Sequence, residues 1–255
     1  MKLSDSVAII TGGASGIGAA CAEYLLDKGA KAVILLDINA ESGAAFAGKL
    51  GAKSLFIQTD ITDLASVEAA VTLAEETFGP ITVVINAAGV TLPAKLIGRK
   101  GPIPMEKFDA AIKINLYGTL HVIRSVVPSL LKAEPNEDGE RGIIINVASG
   151  AAFEGQIGQI GYAAAKSAVV GMTMPLFREL APDGIRVVTV APGAFDTPIY
   201  GTMAPEVKAG IEETFLFPRR MGKPIEFAYF VEEIIRNPIH NGRTYRFDAG
   251  NILMP

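Results

Sequence analysis

The chain has 255 residues, of which 49% are hydrophobic and 20% charged, a balance typical of a globular protein and not of a disordered chain. The formal net charge of −4 argues against the basic surface of a nucleic-acid-binding protein. The single cysteine fits a reducing, cytoplasmic location, and no apolar run reaches the roughly 18 residues of a membrane span.

Short runs rich in Val, Ile and Leu alternate along the chain with longer segments whose apolar residues recur at helical spacing. Such continuous apolar runs are typical of strands that are covered on both faces. Alternation of strand and helix predicts right-handed crossovers and a parallel sheet. The predicted strands are Val7–Thr11, Ala32–Asp37, Ser54–Thr59, Thr82–Asn86, Ile143–Val147 and Arg186–Val190.

Three segments interrupt this alternation. Thr91–Met105 and the polar stretch Glu134–Arg141 are predicted to be solvated surface loops. The stretch Ala194–Lys223 combines several prolines with many apolar residues and follows the last predicted strand. Insertions at this point of an α/β enzyme often cover the site, so residues 194–223 are predicted to form a substrate lid.

A glycine-rich turn follows the first predicted strand and precedes a helical segment. Glycines allow a sharp turn and the close approach of a pyrophosphate, and the helix N-terminus adds free amides and a favourable dipole. The order of the glycines differs from the usual G-x-G-x-x-G, so the turn by itself is a weak signal. The residues predicted to contact the dinucleotide here are Gly12, Ser15, Gly16, Ile17 and Gly18.

Asp37 ends the second predicted strand, 19 residues after Gly18. A carboxylate at this distance can accept hydrogen bonds from ribose hydroxyls and would repel a 2′-phosphate. Neither the glycine turn nor the residues after Asp37 offer a cation for that phosphate. The sequence therefore predicts NAD(H) as the cofactor in preference to NADP(H).

Tyr162 and Lys166 lie four residues apart in a predicted helix, so they share a helix face. A free tyrosine has a pKa of about 10, and a neighbouring ammonium is expected to lower that pKa. Ser149 follows the strand Ile143–Val147, where open α/β sheets place their sites, and its hydroxyl can donate to a substrate oxygen. Together the three residues predict proton exchange with an alcohol or a carbonyl.

Taken in order, these motifs resemble the short-chain dehydrogenase/reductase family over essentially the whole chain. The matching elements are TGGASGIG at 11–18, Asp60 with Ile61, NAAG at 86–89, Asn115 in KINLYG, Ser149, Tyr162 with Lys166, and Ala191-Pro192-Gly193. The resemblance implies an α/β fold with a Rossmann-type, doubly wound parallel sheet of about seven strands, helices on both faces, and a single domain over 1–255. It also implies a homotetramer.

The resemblance further assigns roles to individual residues. Asn115 would hold a water that links Lys166 to solvent, which makes it a fourth catalytic residue, and Lys166 would also bond the nicotinamide ribose. Asp60 and Ile61 would contact adenine. The remaining residues implied for cofactor binding are Asn86, Ala87, Gly89, Pro192, Gly193, Phe195 and Thr197.

Within the family, the runs at 147–166, 171–195, 217–235 and 241–255 are similar to members that oxidise 3-hydroxyacyl-CoA thioesters with NAD. Candidate substrate-binding residues are Ser149, Gln156, Gln159, Tyr162 and Met203, with Phe153 beside them, and candidate cations for the CoA phosphates are Lys95, Arg99, Lys100, Arg219 and Arg220. A hydroxysteroid or other secondary alcohol is the alternative substrate. A non-catalytic dinucleotide-binding scaffold is a further alternative, and no metal site is expected.

Overall fold

The computed structural model describes residues 1–99, 101–200 and 204–252. The strands in these ranges are β1 (Val7–Thr11), β2 (Ala32–Asp37), β3 (Ser54–Gln58), β4 (Val83–Asn86), β5 (Ile97–Gly98), β6 (Gly101–Pro102), β7 (Gly142–Val147), β8 (Ile185–Pro192) and β9 (Arg243–Phe247). The helices are α1 (Gly16–Asp27), α2 (Ala40–Leu50), α3 (Leu64–Phe78), α4 (Met105–Ile112), α5 (Gly118–Lys132), α6 (Ile160–Leu180), α7 (Pro205–Glu213) and α8 (Pro224–Arg236).

Seven of the strands form one parallel sheet in the order β3-β2-β1-β4-β7-β8-β9. The chain runs outward from β1 to β3, then returns to the other side of β1 with β4 and continues to β9. This reversal between β1 and β4 is the switch point at which open α/β sheets bind ligands. The Rossmann-type single domain predicted from the sequence is therefore confirmed.

Helices cover both faces of the sheet, which explains why its strands are continuously apolar. One core cluster joins the sheet to α1 and α8, and it includes the fully buried Leu25 and Phe227. The second cluster joins the opposite face to α3, α5 and α6 through residues such as Val67 and Val126. None of the helices in the described ranges is long and apolar enough to cross a membrane.

The six predicted strands are all present, with ends that differ by one or two residues. The seventh strand of the sheet, β9, was not among the strands read from the apolar pattern. Its sequence mixes two exposed arginines with three partly buried residues, so it has no continuous apolar run, and it lies at the edge of the sheet, where β8 is its described partner. Its pairing also lengthens β8 to Pro192, which lies opposite Phe247.

Two predicted loops contain more structure than expected. The segment Thr91–Met105 carries the short antiparallel hairpin β5–β6, and Met105 already begins α4; Lys100 lies outside the described residues. In the segment Glu134–Arg141 the prediction of a solvated loop is wrong for Glu140, which is only 7% exposed. Its carboxylate forms an ion pair with Arg186 of β8 at 2.6 Å, and this partner is remote in sequence.

The two ends of the segment predicted as a lid, residues 194–223, are hydrogen-bonded to each other. Asp196 donates its amide to the Gly222 carbonyl, and the Gly222 amide donates to the Ala194 carbonyl, both at 2.9 Å. Phe215 and Met221 pack together as a small buried cluster beneath α7. The two ends of the segment are therefore joined, and α7 lies between them in the chain.

Candidate active site

A cavity of about 770 Å³ lies at the carboxyl ends of the strands, at the switch point between β1 and β4. Residues predicted from the sequence form most of its walls. They are Gly12, Ser15, Gly16, Ile17, Gly18, Asp37, Asp60, Ile61, Ala87, Gly89, Ser149, Gln156, Gln159, Tyr162, Lys166, Pro192, Gly193, Phe195 and Thr197. Residues from eight separate parts of the chain thus meet around one space that is large enough for a dinucleotide and a small substrate.

The glycine turn forms one end of the cavity, and its glycines are required by the geometry. A Cβ atom on Gly18 would lie 2.3 Å from the Gly12 carbonyl oxygen, so a side chain cannot be placed there. Gly12 has a φ of +63°, and its Cβ would lie 3.0 Å from the Ala88 backbone. Ser15 precedes α1 without forming a side-chain cap, which leaves the helix N-terminus facing the cavity. This cradle fits a pyrophosphate.

Asp37 stands at the end of β2 beside this turn. One carboxylate oxygen accepts from the Ala14 amide at 3.2 Å and the other from the Asn39 amide at 3.1 Å. These two bonds hold the side chain in place and leave further acceptor positions, because a carboxylate offers about four. The geometry therefore fits the binding of two ribose hydroxyls.

Ser149, Tyr162 and Lys166 meet at the other end of the cavity. Ser149 follows β7 and caps a short 3-10 turn by accepting from the Ala151 amide at 3.2 Å. Its hydroxyl is hydrogen-bonded to Tyr162. The Lys166 ammonium lies 5.8 Å from the centre of the Tyr162 ring and donates to the Val147 carbonyl at 2.8 Å. The predicted pair on one helix face is therefore present, with the serine in contact.

The electrostatics of this group differ from the sequence-based expectation. Burial raises the pKa of the Tyr162 phenol, and the hydrogen bond from Ser149 opposes this by lowering the pKa. Burial also lowers the pKa of Lys166 from 10.5 to about 8. The expected lowering of the Tyr162 pKa by the ammonium is thus outweighed, because both groups lose their solvation in the same enclosed site.

The buried ammonium has a measurable consequence for stability. Between pH 8 and 10.5 the unfolded chain keeps the Lys166 proton while the folded chain has released it, so the unfolding free energy rises with pH by up to about 3 kcal/mol. We expect Lys166→Met to be more stable than wild type at pH 7, and the difference to shrink as the pH passes 8. Denaturant unfolding from pH 7 to 10 measures this, with the exposed Lys113→Met as control. A difference that stays constant over this range would contradict the prediction.

Asn115 lies behind the cavity wall and not in it. It is buried in a π-helical turn between α4 and α5, a feature frequent at functional sites. Its amide group donates to the carbonyls of Val90 and Ala111 and accepts from the Val90 amide. A Cβ on Gly89 would lie 2.7 Å from the Asn115 side-chain oxygen and 3.4 Å from the Lys166 ammonium. Gly89 therefore allows the two side chains to approach each other.

Some residues singled out in the sequence lie elsewhere. Asn86 is buried in the sheet and donates to Asn146 at 2.9 Å, so it supports the cavity without lining it. Phe153 is half exposed beneath the guanidinium of Arg246, outside the cavity wall. Arg220 is held by two hydrogen bonds to Glu226. Met203 lies outside the described residues.

Other wall residues had no signal of their own in the sequence. They include Ile38, Thr59, Leu92, Pro93, Ile114 and Ile199. Leu92 has a φ of +43°, which is uncommon for a residue with a side chain and is typical of functional sites. Among these residues, Ile38 is the one whose position in the sequence, directly after Asp37, could have indicated that it lies at the end of the cavity near the glycine turn.

Residues 6–208 match the sequence profile of the short chain dehydrogenase family. The chain belongs to this family, whose members are oxidoreductases that act on CH–OH groups with a nicotinamide dinucleotide. Among curated proteins, it is 45% identical over 98% of its length to a 3-hydroxyacyl-CoA dehydrogenase type-2 of Bos taurus, of which it covers 96%.

Two solved structures show the same fold over nearly the whole chain. One is a 3-hydroxyacyl-CoA dehydrogenase type-2 from Mycobacterium avium, with a TM-score of 0.91 and 37% identity over 99% of this chain and 97% of that one. The other is a 3-ketoacyl-(acyl-carrier-protein) reductase from Brucella melitensis complexed with NADH. Its TM-score is 0.85, with 30% identity over 98% of this chain and 100% of that one.

Proposed function

We propose that the protein interconverts a 3-hydroxyacyl-CoA and the corresponding 3-oxoacyl-CoA, with NAD as the hydride carrier. The observation that carries this proposal is the meeting of Ser149, Tyr162 and Lys166 in one cavity with the glycine turn and Asp37. The substrate class is supported by the similarity to the bovine and mycobacterial 3-hydroxyacyl-CoA dehydrogenases. Residues 194–223 would form the lid over this substrate.

In the proposed reaction, the Tyr162 oxygen takes the proton of the substrate hydroxyl, and the Ser149 hydroxyl donates a hydrogen bond to the substrate oxygen. The bound nicotinamide would accept the hydride from the carbinol carbon. Because burial raises the Tyr162 pKa, the phenol needs further stabilisation of its anionic form before it can act as a base. Lys166 in its charged form would give this stabilisation, and Asn115 would hold the solvent path to Lys166. Ketone reduction is the same sequence reversed.

The cofactor preference depends on Asp37. We expect Asp37→Ala to lower the ratio of kcat/KM with NAD to that with NADP by at least about tenfold, because the like charge that repels a 2′-phosphate is removed. Steady-state kinetics with both cofactors measures the ratio, and Glu41→Gln, an exposed acid on α2, is the matched control. Equal turnover of both cofactors by the wild type would contradict the assignment of NAD.

The CoA part of the substrate needs cations for its phosphates. Lys95, Arg99 and Arg219 are exposed, whereas Arg220 is occupied by Glu226 and is the weakest of the described candidates. The test compares acetoacetyl-CoA with a small ketone that lacks CoA, at equal NADH. A kcat/KM at least about tenfold higher for the thioester supports the proposal, and equal values refute it.

The alternative substrate, a hydroxysteroid or another secondary alcohol, is favoured by the apolar part of the cavity. Leu92, Pro93 and Ile199 form a wall there that suits a flat apolar molecule. Leu216 and Phe217, two apolar residues of segment 194–223, are each 85% exposed and do not line the cavity. A panel of 3-hydroxyacyl-CoA chain lengths beside steroid and simple secondary alcohols separates the two substrates.

We further propose a cytoplasmic homotetramer. The exposed apolar side chains of Leu120 and Leu131 on α5, and of Tyr117 directly before it, recur at a spacing that places them on one face. Contact between copies would remove this face from water. Sedimentation at micromolar concentration tests the assembly, and a purely monomeric protein would refute it. The cytoplasmic location is supported by the one cysteine, Cys21, which is free and buried.

A further inference from the structure

Arg246, near the end of the edge strand β9, is the centre of a polar junction outside the cavity wall. Its guanidinium contacts both carboxylate oxygens of Glu154, at 2.5 and 3.1 Å. The same side chain donates to the Asp248 carboxylate at 2.6 Å and to the Asn251 carbonyl at 3.1 Å. It also lies over the Phe153 ring, 5.5 Å from the ring centre. The two carboxylates raise the pKa of Arg246, so its charge is retained at any working pH.

The partners of Arg246 come from three different segments of the chain around the active site. Glu154 lies on the segment between Ser149 and Tyr162, five residues after the serine. Asp248 lies directly behind Gly193, where an added Cβ would be 2.8 Å from the Asp248 Cβ. Asn251 donates its side-chain amide to the Thr214 hydroxyl at 2.6 Å, at the end of α7. One guanidinium thus connects the segment between Ser149 and Tyr162 (the serine segment), the turn after β8 and the loop that contacts the end of α7.

The contact with Glu154 determines where the serine segment lies. Beyond Glu154 this segment turns back to the cavity, where Gln156 and Gln159 form part of the wall and Gln159 donates to Gln156 at 3.2 Å. Further described hydrogen bonds of this segment come from the Ala94 amide of the 91–105 loop, which donates to the Gly158 carbonyl at 2.7 Å, and from the Ala163 amide of α6, which donates to the Gln159 carbonyl at 2.7 Å. The planar fork of arginine fits this two-point contact, and a lysine cannot reproduce it.

We propose that Arg246 is a positioning residue that acts through Glu154 to fix segment 153–159, and with it the substrate side of the cavity. The inference rests on the proposed function and extends it to a residue that touches neither substrate nor cofactor. The glycine turn and Asp37 lie at the opposite end of the cavity and do not depend on this contact. We therefore expect a more mobile segment 153–159 to weaken binding of the ketone substrate and to leave binding of the dinucleotide unchanged.

The test uses Arg246→Gln, Glu154→Gln and the double variant, with the whole protein. We expect each single variant to raise the KM for acetoacetyl-CoA by about tenfold or more, while kcat stays within about threefold, because small displacements of positioning groups weaken substrate placement. The double variant should have the KM of Arg246→Gln alone, since Glu154→Gln breaks a contact that Arg246→Gln has already removed. The dissociation constant of NADH should stay within about twofold in Glu154→Gln, which leaves the Arg246–Asp248 pair behind Gly193 in place. Arg236→Gln, which breaks the exposed pair with Glu232, is the matched control.

Hydrogen–deuterium exchange separates this inference from the proposed function, because it needs no turnover. Faster exchange in residues 150–159 of both single variants, with unchanged exchange at the glycine turn, supports the positioning role. Unchanged exchange there, an unchanged KM, or an equal loss of NADH affinity overturns it. If Arg246→Gln does not fold, Glu154→Gln alone decides the question. A wild type that reduces no acetoacetyl-CoA refutes the proposed substrate and leaves the exchange result to decide the role of Arg246.

Discussion

Tyr162→Phe is expected to lower kcat by about 10²–10⁴-fold, the usual contribution of a positioned proton donor or acceptor. The substitution removes only the hydroxyl, which is the group proposed to exchange the proton and which meets Ser149. The ring, which is 8% exposed, keeps its packing on α6. Stability should fall by no more than about 1.5 kcal/mol, the net value of one hydrogen bond. NADH affinity should remain within about threefold of wild type.

The matched control for this prediction is Tyr24→Phe. That change also removes a tyrosine hydroxyl with a short hydrogen bond, from Tyr24 to Glu232 at 2.6 Å, but on the outer surface between α1 and α8. Turnover should be unaffected there. The measurement is NADH oxidation with acetoacetyl-CoA, with NADH fluorescence titration alongside. Wild-type turnover in Tyr162→Phe would refute the catalytic assignment of the tyrosine.

Arg186→Met is expected to lower the free energy of unfolding by about 3–5 kcal/mol, as is usual when one partner of a buried ion pair is removed. The Arg186 side chain is 6% exposed and pairs with Glu140, whose side chain is equally buried. It also donates to the carbonyls of Ile234 and Ile235 in the last turn of α8, and to the carbonyl of His240 after that helix, at 2.7–3.0 Å. Methionine fills similar space but leaves these carbonyls without their donor, and it leaves the buried Glu140 carboxylate with the N-terminal ammonium of Met1, at 3.1 Å, as its remaining described cation.

Thermal unfolding should show this loss as a decrease in Tm of about 6–20 °C, given the enthalpy typical of a chain of this size. Arg236→Met is the control, because its pair with Glu232 is exposed and joins residues four apart on α8. Such surface pairs contribute about 0–1 kcal/mol. If the two variants lose equal stability, the buried contacts of Arg186 contribute no more to the free energy of unfolding than a surface ion pair, and the prediction is wrong.

Those parts of the fold that depend on local pattern could be predicted from the sequence. Continuous apolar runs identified six of the seven strands, including all five inner ones, since a strand covered on both faces has no solvent side to mark with polar residues. Asp63 and Gly79, residue types that favour the two ends of a helix, cap α3. The strand β9 was not predicted, because its two exposed arginines interrupt the apolar pattern as in a surface loop.

In the candidate site too, features that depend on local pattern could be predicted, and contacts between residues distant in the sequence could not. The glycine turn, Asp37 and the Tyr162–Lys166 pair depend on short spacings along the chain, and the structure brings them to one cavity. The burial of Glu140 and the junction at Arg246 depend on partners 46 and 92 residues away. No local pattern encodes such contacts.

The sequence by itself determined which groups could do chemistry here: a dinucleotide turn, an acidic ribose contact, and a tyrosine paired with a lysine on one helix face. The tertiary structure decided their electrostatic state. Burial raises the pKa of Tyr162 and lowers that of Lys166, which the spacing of four residues could not show. The physical reason is that desolvation depends on everything packed around a group, whereas spacing describes only its neighbours along the chain.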